Sequence, residues 1–138
     1  MRFSTFVVAL STASVALAQE AARFGLLTVD GKTDVSVGET LSLTYDSSAA
    51  QYVPQTVDFV LQGTRKNGNL TPYVVLSRED VSADQKVVHK EFQVPDVIAA
   101  YGNDVASWQA TAFITYEYND YNPPIVQSGG TTAAFNIV

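Results

Sequence analysis

Cysteine is absent from this chain of 138 residues, and tryptophan, methionine and histidine occur once each. Without cysteine there are no disulfides, no thiolate nucleophile and no thiolate metal centre, so a folded state must rest on its apolar core. The single histidine, His89, has no second imidazole with which to build a His-based metal site. A Ser-His-Asp hydrolase would have to use it, yet no G-x-S-x-G elbow occurs. Its place in "KVVHKEFQV" puts it on the polar face of a strand. Basic residues are scarce as well: eight Lys and Arg stand against 14 Asp and Glu, a formal charge of −6. Nucleic acid and anionic membrane are thereby disfavoured as partners, because phosphate contacts need clustered Lys and Arg.

Long hydrophobic runs are missing too. The most apolar stretch, Phe6 to Ala18, is broken by Ser11, Thr12 and Ser14 and falls short of the about 20 residues a membrane-spanning helix needs. Arg2 precedes it and Ala16-Leu17-Ala18 ends it in an A-x-A site, the pattern of a secretory signal peptide. Residues 1–18 therefore read as the signal, with cleavage between Ala18 and Gln19. Loss of Arg2 leaves 7 basic and 14 acidic residues, 7 − 14 = −7. Residues 19–138 are a comfortable size for one domain. No apolar tail follows "AAFNIV", so no membrane anchor is expected and the product reads as a secreted, extracellular monomer.

What the sequence has in plenty is alternation with a period of two, the mark of half-buried strands. In "TLSLTYD", Leu41, Leu43 and Tyr45 share one face. Val57, Phe59 and Leu61 do so in "QTVDFVLQG", as do Val88, Phe92 and Val94 in "KVVHKEFQV". "WQATAFITYEY" sets Trp108, Ala110, Ala112, Ile114, Tyr116 and Tyr118 together, and Phe135 and Ile137 close the chain. Shorter strands are expected at Phe24 to Val29 and Pro72 to Glu79. Asp30-Gly31, Gly38-Glu39, "RKNGN" and "QSGGTT" read as turns, and "PDVIAAYG" as one helical turn. Seven or eight strands at this spacing predict an all-β fold. The expected form is a single immunoglobulin-like antiparallel β-sandwich without disulfides.

Chemistry-bearing patterns are thin. Glu79-Asp80 could form one arm of a glycosidase pair, and Asp30 and Asp34 flank a turn with far fewer oxygens than an ordered calcium loop supplies. Neither amounts to a catalytic or metal pattern, so no enzyme and no cofactor are expected. Asn69-Leu70-Thr71 is an N-glycosylation sequon, with Pro72 restricting Thr71 to extended backbone. Among the aromatics, Trp108 and Tyr116 fall on the apolar strand face and read as core, which leaves Tyr118 and Tyr121 for the surface. With Asn119 and Asp120 between them and Asn122 after, these five residues are the candidate partner-binding set. Pro123-Pro124 cannot continue a central strand, so "YNDYNPP" is expected to cross between sheets or cap an edge.

"VSVGETLSLTYDS", "AQYVPQTVDFVLQGT" and "VVHKEFQVPDVIAAYGNDVASWQATAFITYEYNDYNPPIVQSGGTTAAFNIV", in that order, resemble the small fungal effectors called necrosis-inducing secreted proteins. The matching elements are Gly38-Glu39-Thr40, Tyr52, Val57 to Gly63, Val94-Pro95, Gly102, Pro123-Pro124 and Phe135-Asn136-Ile137. The loop "YEYNDYNPP" departs from that family's more usual Tyr-Gly-Ala type turn. The resemblance implies a host protein as partner, at a receptor-associated kinase, with plant immune signalling dampened and entry into host cells as one route. "VSVGETLSLTYDSS" and "AAFNIV" also resemble the immunoglobulin-like module of fungal cell-wall proteins linked to β-glucan assembly, which implies a cell-wall polysaccharide as partner instead.

Overall fold

A computed structural model describes residues 17–138, so the expected signal segment up to residue 16 lies outside the described residues. Residues 17–24 are helical, and Ala18 and Gln19 lie exposed on that segment. Eight strands follow: β1 Leu26–Asp30, β2 Asp34–Val35, β3 Thr40–Asp46, β4 Pro54–Arg65, β5 Val74–Asp80, β6 Val87–Gln93, β7 Val105–Tyr118 and β8 Ile125–Ile137. A short helix, Val97–Tyr101, sits between β6 and β7 where "PDVIAAYG" predicts it. Asp96 caps it by accepting from the Ala99 N–H at 2.9 Å, and Gly102 ends it with φ of 70°. No described helix is long and apolar enough to cross a membrane.

The strands form two sheets, β1-β3-β6 and β2-β8-β7-β4-β5. β1 runs antiparallel to β3 in the first sheet, whereas β2, three residues further on, adds in parallel to β8 in the second. The opening strand therefore switches sheets. With β3 beside β6 and β4 beside β7 and β8, the arrangement is the immunoglobulin order of strands A-B-E on one sheet and A′-G-F-C-C′ on the other. The alternation read from sequence is what closes it. Leu41, Leu43 and Tyr45 face Val57, Phe59, Leu61, Ala110, Ala112 and Ile114, all of them buried. The Phe59 and Phe92 rings meet at 5.7 Å between the sheets.

Two expected turns turn out otherwise. "QSGGTT" lies inside β8, paired with β7 from Tyr118↔Ile125 to Trp108↔Phe135. Its two glycines are covered by aromatic rings. A side chain at Gly130 would come within 2.9 Å of its cross-strand partner Phe113, and one at Gly129 would run into Phe24. Glycine in a strand commonly marks such a close approach, and aromatic cover restores the contact that a missing side chain forfeits. "YNDYNPP" does not cross between sheets: it is the tip of the β7–β8 hairpin within one sheet. Pro123 and Pro124 lie just before the first ladder residue, Ile125, where a missing N–H costs nothing. Phe24 also departs from expectation, standing at the end of the helical segment rather than in a strand.

Tyr45 ties that segment to the sandwich, its buried hydroxyl donating to the Phe24 carbonyl at 2.5 Å. Burial pushes its pKa well above the ordinary 10.0, and the Asp46 carboxylate adds to the rise. The folded state thus keeps a proton that the unfolded chain releases. The stabilisation is complete below about pH 10, the unfolded value, and is lost as pH climbs toward the raised folded value. The expected result is a urea midpoint that falls steeply above pH 10 in the wild type. A Tyr45→Phe variant starts about 1 kcal/mol lower at neutral pH and loses less on going alkaline. Parallel alkaline profiles for the two would refute the assignment to Tyr45.

Candidate functional site

Three connections meet at one end of the sandwich: β3–β4 (residues 47–53), β5–β6 (81–86) and β7–β8 (119–124). Register brings them together, with Pro54 opposite Tyr116 and Thr56 opposite Asp80, while Asp46 pairs with Val87 in the other sheet. The helical segment joins the same end, where Ala22 and Arg23 carbonyls accept from the Gln51 and Tyr52 N–H groups at 2.9 and 3.2 Å. By strand order two of these loops are B–C and F–G, which carry the binding residues of antibody variable domains.

A continuous run of aromatic rings crosses this end. Phe24 packs on Tyr52 at 6.1 Å, Tyr52 stacks on Tyr116 at 4.2 Å with the planes 12° apart, and Tyr118 meets Tyr52 edge-on at 6.1 Å. Tyr121 continues the run, 5.7 Å from Tyr118. Tyr116 is core, as its face predicts, and its hydroxyl donates to Gln127 at 3.0 Å. Tyr118 is half-buried, and Tyr121 is 58% exposed. Exposed Val53, Ile125 and Val126 lie on the same connections and the hairpin base.

Beside the rings opens a cleft of about 460 Å³, lined from β3–β4 by Gln51, Tyr52 and Val53 and from β7–β8 by Glu117, Tyr118, Asn119 and Asp120. Pro54, Gln55, Val81 and Ala83 complete the lining. The Asp120 carboxylate raises the Tyr118 pKa by hydrogen bonding to its hydroxyl and by its charge. Of the five candidate residues, Tyr118, Asn119 and Asp120 line this cleft, Tyr121 leans on Tyr118 from outside it, and Asn122 is exposed without lining it. Sequence reasoning missed Phe24, Tyr52 and Glu117 as members of the site. The usable signal was Tyr52 itself, an aromatic residue in the polar, non-alternating segment "SSAAQYVPQ".

The remaining candidates sit elsewhere. His89 is on the outer face of the three-stranded sheet, as its strand position predicts, but it is not isolated. Its Nδ1 lies 2.9 Å from Thr44 Oγ1 and 3.3 Å from Asp30, while its Nε2 lies 3.4 Å from Ser42 Oγ. Thr44 donates to Asp30 at 2.5 Å, which leaves its oxygen to accept from the imidazole. The series Ser42–His89–Asp30 has the order of a hydrolase triad. However, Ser42 is a mid-strand residue between Asp30 on β1 and Glu91 on β6, inside a ladder that offers no free N–H pair to an oxyanion. Glu79 is tied to Lys90 at 3.0 Å and Asp34 accepts from Asn136 at 2.9 Å. Among the described residues no three His, Asp or Glu side chains converge as a metal site requires.

Asn69 is exposed in the β4–β5 turn, far from the cleft, with its carbonyl accepting from the Arg65 N–H at 2.8 Å. Thr71 of the sequon is buried. Its hydroxyl accepts from the Gly63 N–H at 2.9 Å and donates to the Pro72 carbonyl at 3.0 Å. No protein-family model matches the chain, and no curated protein is similar to it in sequence.

Proposed function

We propose that this chain is a secreted, non-catalytic binding module that holds a partner protein at the loop end of its sandwich. The observation that carries the reading is the convergence of three connections around a cleft edged by the Tyr118–Tyr121 pair. Tyrosines that combine apolar area with a hydroxyl, set on a rigid sheet, are the usual anchors of protein interfaces. The resemblance to necrosis-inducing secreted proteins supplies the partner class, a receptor-associated kinase of a plant host, with dampened immune signalling as the consequence.

The test is an elicitor-triggered oxidative burst in leaf tissue that produces the protein, with a Tyr118→Ala/Tyr121→Ala variant alongside. Suppression by the wild type and its loss in the folded double variant are expected. Truncating the anchor pair costs about 2 kcal/mol or more, so kinase capture should weaken by at least about 30-fold. A normal burst with wild-type protein present and folded would sink the effector reading, and binding to β-glucan in a pull-down would replace it with the cell-wall one.

A further inference from the structure

Among the described residues the cleft lining carries two charged side chains, Glu117 and Asp120, and the Lys86 ammonium stands next to it, donating to the carbonyl of the lining residue Ala83 at 2.9 Å. Among the described residues neither carboxylate has an ion-pair partner, although Glu39, Asp58, Glu79 and Asp104 each have one. The Tyr52 and Tyr118 rings line the same cleft, their planes 75° apart. The neutral polar groups present are the amides of Gln51, Gln55 and Asn119.

An anion would face two carboxylates against the single ammonium beside Ala83, and an apolar side chain would desolvate both carboxylates without return. A cation satisfies carboxylates and rings alike. An ammonium answers the charge alone, as a compact, strongly hydrated point. A guanidinium answers the charge and the shape together: its flat face stacks on an aromatic ring, while its fork of N–H donors takes a carboxylate two bonds at a time. The chain's formal charge of −6 adds a favourable field at longer range. A volume of about 460 Å³ is ample for one such side chain with its methylene stem.

We infer that the cleft receives an arginine side chain from an exposed segment of the partner, stacked against Tyr52 or Tyr118 and paired with Glu117 and Asp120. The inference rests on the loop end being the binding surface, and names what that surface recognises.

The test uses isotope-labelled protein and three blocked tripeptide amides, Gly-Arg-Gly, Gly-Lys-Gly and Gly-citrulline-Gly, followed by NMR. Citrulline keeps the planar shape of arginine and removes its charge. Saturable shifts are expected for the amides of Tyr52, Glu117, Tyr118 and Asp120 with the arginine peptide. The lysine peptide should bind more weakly, and the citrulline peptide at least about tenfold more weakly. A Glu117→Gln/Asp120→Asn variant should lose a similar factor for the arginine peptide, its urea midpoint being unchanged. Equal binding of arginine and citrulline peptides, undiminished binding by the double variant, or shifts scattered away from the cleft would each overturn the inference. So would the absence of any shift. If Tyr118→Ala/Tyr121→Ala still abolished partner capture in that case, the loop end would stand as a binding surface with other chemistry.

Discussion

Truncation of Phe59 to alanine is expected to lower the unfolding free energy by about 3–5 kcal/mol, the range for removing a buried aromatic ring. Phe59 has no exposed surface, lies mid-way along β4 and reaches Phe92 of the opposite sheet at 5.7 Å. Phe59 belongs to the buried side-chain cluster shared by both sheets, whose strands are held by their ladders and cannot close in far enough to refill the space. The cavity cost therefore adds to the lost burial. A domain of this size has only about 5–15 kcal/mol in total, and no disulfide restrains the unfolded chain. Urea denaturation should show a midpoint reduced by about a fifth or more at an unchanged slope. A loss under about 1 kcal/mol would mean that the two sheets are held by something other than this contact.

Gly25→Val is expected to be nearly as damaging, for a different reason. Gly25 links the helical segment to β1 with φ of 102°, and its N–H reaches back to the Ala21 carbonyl at 3.0 Å. A Cβ there would stand 2.8 Å from the Asp46 carbonyl oxygen and 2.8 Å from the Tyr45 ring. Strain at positive φ costs about 1–2 kcal/mol and overpacking adds about 1–3 kcal/mol. Gly31 has φ of 69° with nothing near its missing side chain, so Gly31→Val bears the strain without the clash and is the control. The two variants should differ by about 1–3 kcal/mol in urea. Gly25→Val should also weaken the Tyr45–Phe24 bond and with it the seat of Tyr52. Equal losses in the two variants would show that backbone strain alone governs Gly25.

How much of this was legible in the sequence follows from which interactions are local. Leu41-Leu43-Tyr45 and Val57-Phe59-Leu61 announce their strands because each buried face is written in neighbouring positions. Gly129-Gly130 misleads because the rings that cover it, Phe24 and Phe113, come from elsewhere in the chain. β2 is two residues long and owes its place to Asn136 and Ile137, a pairing no local pattern carries. The same holds for the site. Tyr118, Asn119 and Asp120 stand out in "YEYNDYNPP", but their partner Tyr52 reaches them through the Pro54↔Tyr116 register, which is set by the whole β4–β7 ladder. The network around His89 is likewise invisible until β1, β3 and β6 are aligned.

The committed hydroxyl of Thr71 turns the sequon into a clock. Glycosylation reads the asparagine amide and the threonine hydroxyl together, on an accessible extended chain. Once β4 and β5 close, that hydroxyl is locked between Gly63 and Pro72. In a glycosylating compartment the sugar must arrive before the hairpin does. Occupancy at Asn69 would then record how fast each molecule folded, and any variant that slows closure of the hairpin should emerge more heavily modified than the wild type.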